Sequence, residues 1–200
     1  LDDPSEPIFL PTPAECLAAA LSPQHDEVAV CYGKTLAILD IQTRAPKTTI
    51  ELPSPASRML YSEDGKLLAT SGRSFSVWDV GSGEKKYDLA TIHNHRPLPA
   101  LDCKGVLAFD DDGCVLAVAD GRHVGDNHRY LVKYSADGQE LMKLREEAVV
   151  GWLTLSPDRS LLAVVKVRGA DDPTRVELRD RKTYKLIQEI EAHWGNVLSV

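Results

Sequence analysis

The chain has 200 residues, of which 43% are hydrophobic and 26% charged, enough to bury a substantial core in one domain or a short array of repeats. Its 30 acidic residues outnumber 23 Lys and Arg, and the net charge of -7 repels nucleic-acid phosphates unless basic residues gather on one face; no Lys/Arg run suggests such a face. No stretch reaches the roughly 20 apolar residues of a membrane-spanning helix, so neither a nucleic-acid partner nor a membrane is expected.

Residues 1–13 are acidic and proline-rich, unlike a basic-then-apolar signal peptide. They read as an N-terminal arm in which Ile8-Phe9-Leu10 could serve as a closing strand. The next segment, 14–21, contains Ala18-Ala19-Ala20, which has helix propensity. It is nevertheless assigned as a strand, because of its place in a repeat.

That repeat organises the chain. Leu21-Ser22-Pro23-Gln24-His25-Asp26-Glu27-Val28-Ala29-Val30 returns as Tyr61-Ser62-Glu63-Asp64-Gly65-Lys66-Leu67-Leu68-Ala69-Thr70, then from Phe109 to Val118, and again from Leu155 to Val164. The anchors Ser22, Ser62, Asp110 and Ser156 stand 40 to 48 residues apart. Each copy reads as an apolar strand, a tight turn and a second apolar strand, with Gly65 and Gly113 supplying positive φ. A second hairpin follows, with strands near Leu36–Leu39, Phe75–Trp78, Leu131–Tyr134 and Val176–Arg179, ending at Asp40, Asp79, Ser135 and Asp180. Turn-formers then lead to a fourth strand, such as Lys185–Ile190. The strands are short, β-branched and apolar on both faces, as in Leu161-Leu162-Ala163-Val164-Val165, which fits sheets packed on both sides.

Four strands per repeat is the make-up of a propeller blade. The expectation is an all-β β-propeller array of four-stranded antiparallel sheets, about four blades plus the start of a fifth. Residues 14–53, 54–99, 100–146 and 147–191 form the blades and 192–200 begin another. The partial fifth repeat suggests a fragment of a longer propeller; closure as a four-blade ring is the alternative.

These residues resemble the WD40 repeat family. The likeness is clearest at Val77-Trp78-Asp79 with Ser62-Glu63-Asp64-Gly65, and at Leu155-Ser156-Pro157-Asp158. It covers nearly the whole chain, yet the tryptophan column reads Leu39, Trp78, Tyr134 and Arg179, so the repeats have diverged. The resemblance gives Trp78, Asp79, Asp40, Asp180, Gly65 and Gly113 structural roles, and places His193 as a loop histidine that supports a blade. It also implies a non-catalytic scaffold that receives protein or peptide partners on a loop face. Arg73, His93, His95, Arg96, His123, His128, Arg168 and Trp194 map on or near that face, and arginine and aromatic residues are common interface anchors. The alternative is a propeller enzyme or small-ligand sensor using the central channel, which needs polar groups converging on the axis from several blades.

Other chemistry has weaker signals. His93-Asn94-His95 and the pair His123 and His128 lack accompanying ligands at a recognised spacing and read as loop histidines, so no metal is expected. Asp110-Asp111-Asp112-Gly113 lacks the spacing of a calcium loop and reads as a turn closed by its own aspartates, and Asp171-Asp172-Pro173 as a hairpin tip. No Gly-x-Ser-x-Gly or phosphate-binding glycine loop is present, so no enzymatic activity, cofactor or small-molecule ligand is expected. Cys16, Cys31, Cys103 and Cys114 form no C-x-x-C pair and read as thiols of a reducing, cytoplasmic setting.

Overall fold

The computed structural model describes residues 15–24, 26–72, 75–89, 107–110, 113–120, 129–167 and 174–191. Four four-stranded antiparallel sheets follow one another along the chain, and no α-helix occurs among the described residues. The first sheet holds β1 (Cys16–Leu21), β2 (Glu27–Tyr32), β3 (Thr35–Asp40) and β4 (Pro46–Glu51). In the second are β5 (Ala56–Tyr61), β6 (Leu67–Gly72), β7 (Phe75–Asp79) and β8 (Lys85–Asp88). The third comprises β9 (Leu107–Phe109), β10 (Val115–Asp120), β11 (Arg129–Tyr134) and β12 (Glu140–Glu146). The fourth is β13 (Val149–Leu155), β14 (Leu161–Val167), β15 (Arg175–Asp180) and β16 (Leu186–Glu191). Each is a simple meander, the blade of a β-propeller. The alanine-rich segment is strand β1, so pairing with β2 overrides its helical propensity.

Turn chemistry explains why these segments become hairpins. Ser62 Oγ accepts from Leu67 N at 2.9 Å and donates to Asp64 Oδ1 at 2.7 Å; Ser156 repeats this with Leu161 N at 3.0 Å and Asp158 at 2.5 Å. The third residue after the serine turns left-handed: Gly65 has φ +70° and Gly113 +73°, while the fourth blade puts Arg159 there at +57°. The second turn has its own rule. Oδ1 of Asp40, Asp79 and Asp180 accepts the backbone N–H of Thr43, Ser82 and Thr183 at 2.7, 2.9 and 2.8 Å, and their hydroxyls as well. These bonds hold all three carboxyls below the usual aspartate range.

The inner strands lie side by side, β1 against β5, β5 against β9 and β9 against β13, so the blades stack face to face around one axis. Side chains that alternate along β2, β3, β6 and β7 are therefore buried on both faces, which erases the period-two pattern. Between the first two blades Ala29, Cys31, Leu36 and Ile38 meet Met59, Leu68 and Trp78. Between the next two, Ala69, Phe75 and Val77 meet Phe109, Val115, Val132 and Tyr134. Leu116, Val118 and Leu131 pack on Val150, Leu153, Leu162 and Val164 to join the third and fourth.

Charge reinforces the last junction. Glu146, Lys166, Glu177 and Arg179 are all buried. Lys166 Nζ lies 3.0 Å from Glu146 and 2.6 Å from Glu177, and Arg179 grips Glu146 with Nη1 at 2.6 Å and Nη2 at 2.9 Å. Nearby, buried Asp110 accepts from Lys133, from Arg181 Nη1 at 2.9 Å and from Tyr184 Oη at 3.2 Å. Its carboxylate therefore anchors the fourth blade to the third. Asp111 and Asp112 lie outside the described residues.

Candidate functional site: an axial cavity

Arg73, His93, His95, Arg96, His123, His128, Arg168, His193 and Trp194 all lie outside the described residues, as do the Asp171-Asp172-Pro173 tip and Cys103. The convergence of groups that the structure does show is at the propeller axis. A cavity of about 390 Å³ opens between the inner strands of the second, third and fourth blades, lined by Arg58, Leu60, Tyr61, Ala108, Phe109, Leu153, Thr154 and Leu155 among others. It is an open depression, largely in contact with solvent.

Three of the four inner strands carry an irregularity at the same place, two of them, β5 and β13, at this site. Register shifts fall between Cys16 and Ala18, between Ala56 and Arg58, and between Val150 and Trp152. Such bulges re-aim the following side chain. Counting back from Ser22, Ser62 and Ser156, the residues after the irregularity are Ala18, Arg58 and Trp152. Two are large and meet across the axis: the guanidinium of Arg58 sits 3.7 Å from the centre of the Trp152 ring. That stacking stabilises a cation on a π face.

Arg58 is otherwise poorly satisfied. Its Nη1 is buried without a hydrogen-bond partner, and burial lowers the guanidinium below its ordinary pKa. The Oη of Tyr61 is likewise buried and unbonded, and burial, with Glu27 nearby, raises its phenol well above the usual value. At the more solvated side, Arg159 Nη1 pairs with Glu63 Oε2 at 3.0 Å. Arg159 holds this place with φ +57°, where the second and third blades use glycine. A non-glycine residue in that region is uncommon, and strain of this kind clusters at functional sites.

Sequence reasoning missed Arg58, Tyr61, Trp152 and Arg159 because they sit on strands and a turn, whereas attention fell on loops. One signal was readable: aligned on the serine anchors, the column Ala18, Arg58, Trp152 places large polar and aromatic groups where an inner strand faces the axis.

No family model matches the chain, and no curated protein matches it. Matches among solved structures are numerous, at 995 chains, so the likeness describes a widely shared fold. One is a chain of the Kuenenia stuttgartiensis hydrazine synthase, 20% identical, with a TM-score of 0.63 over 84% of this chain and 52% of that one. The chain thus spans about half the length of that protein, and at this identity the similarity shows the fold alone. It corrects one expectation. A chain of this architecture occurs in a synthase, so the inference from propeller repeats to absence of enzymatic activity does not hold.

Proposed function

We propose that this chain is a propeller recognition module that receives a partner or ligand at its axial cavity, and that its blades are of the WD40 type. The observation that carries the first part is Arg58: a half-buried guanidinium that stacks on Trp152 and lines a space walled by three blades, with no ion-pair partner among the described residues. The WD40 assignment is supported by Trp78, whose Nε1 donates to Thr70 Oγ1 at 2.9 Å inside the blade, next to the Asp79 turn. A short peptide segment fits its mixed polar and apolar lining.

A protein-observed NMR screen of small fragments tests the cavity. Binders should perturb the Trp152 indole signal and lose binding in Thr154→Trp, which fills the space from its wall. Binders that persist in Thr154→Trp and leave Trp152 unaffected would place recognition elsewhere.

A further inference from the structure

Resting on the axial-cavity reading, we infer that the group received there is a carboxylate on an apolar body, the free C-terminus of a peptide or a small carboxylic acid, bound by Arg58 with its alkyl portion against Leu60 and Leu155. The charges decide the class of ligand. Glu63 Oε2 lies 3.0 Å from Arg159 Nη1, whereas Arg58 makes no ion pair among the described residues. The cavity therefore carries one uncompensated positive charge, which suits a monoanion better than a phosphate bearing close to two charges. Geometry agrees with charge. With one face of the guanidinium covered by Trp152 at 3.7 Å, the free edge donates in the plane, the arrangement that matches a planar carboxylate.

The remaining wall explains the apolar body. Leu60 and Leu155 are partly buried and present apolar surface to the space, with the buried Phe109 and Leu153 behind them in the inter-blade cores. Burying such a body adds about 25 cal/mol per Å² of apolar surface removed from water. Thr154 is the polar wall residue placed to meet a neighbouring amide. Leu60 and Leu155 belong to different blades and pack on different inter-blade cores, so the bound body would bridge the two.

Titration calorimetry on the intact chain tests this with N-acetyl-leucine, an acetylated tripeptide ending in Ala-Leu, and the C-terminal amide of each. The free acids should bind at least about tenfold more tightly than the amides, since loss of a charge-assisted bond exceeds the 1.4 kcal/mol that a factor of ten represents. Arg58→Met should abolish this preference while keeping or raising the melting temperature, because it removes a half-buried cation that has no counter-ion among the described residues. Arg58→Lys, which keeps the charge, guards against misfolding of the methionine variant and should retain a reduced preference. Tighter binding of the tripeptide acid would identify a peptide terminus; equal binding of the two acids would identify a small carboxylic acid. Amides that bind as well as acids, yet are lost in Thr154→Trp, would overturn the carboxylate and leave the cavity reading standing. No binding by any of the four probes to the folded chain would also overturn the carboxylate inference, with the fragment screen deciding the cavity separately.

Discussion

Trp78 and Arg179 hold the same place in their blades, each the residue before the aspartate of the second turn and paired across to Leu68 and Leu162. Trp78 fills it with an aromatic surface and one bond to Thr70 at 2.9 Å; Arg179 fills it with a charge that needs Glu146 and Glu177 around it. Trp78→Ala should cost about 3–5 kcal/mol by cavity formation, and Trp78→Phe much less, read by urea unfolding. Gly138 gives a second residue-scale outcome. At φ +86°, a Cβ there would lie 2.7 Å from Cγ of Tyr87, whose Oη donates to Ser135 O at 3.2 Å. Gly138→Ala should therefore lower the unfolding midpoint, and Tyr87→Leu in the same chain should recover part of the loss. Neither the ring contact nor the Arg179 network could be read from a single repeat, since both arise between blades.

At the scale of the element, the hairpins were legible because their turns are local. Ser62 with Asp64, Asp79 with Ser82, and Asp180 with Thr183 bond within a few residues, so the pattern shows in the sequence itself. The left-handed positions were only partly legible. Arg44, Arg159 and Tyr184 take φ of 61°, 57° and 57° where other blades use glycine, so residue type gave no warning. Arg44→Gly should be neutral or stabilising by up to about 1 kcal/mol by thermal melting, since glycine carries no left-handed penalty. The second turns also set an acid limit. Because folding depresses the carboxyls of Asp40, Asp79 and Asp180, their contribution is complete above the ordinary aspartate pKa and is lost as pH falls through the depressed values. Stability should decline below about pH 4, and substituting all three by asparagine should flatten that part of the pH profile.

For the whole molecule, the junctions differ in kind. The first two inter-blade cores are apolar, whereas the third adds the buried Glu146, Lys166, Glu177 and Arg179 cluster. Burial alone would raise Glu177, but Lys166 and Arg179 hold it below the usual glutamate range, so this junction too should weaken in acid. Glu146→Gln leaves two cations facing one carboxylate and should cost about 3–5 kcal/mol, with hydrogen exchange rising first in β13 to β16. The repeat period made the four sheets readable, but the axial site was not. It depends on which side chains from separate blades meet at the axis, as Arg58 and Trp152 do.

The most direct test of the account is the NMR signal of the Trp152 indole, assigned by Trp152→Phe and followed in the wild type and in Arg58→Met while N-acetyl-leucine is added. A guanidinium stacked on that ring beside an open cavity predicts a shifted resonance in Arg58→Met without ligand, and a ligand-dependent shift in the wild type that the variant lacks. A Trp152 signal indifferent to both the substitution and the ligand would contradict the axial site.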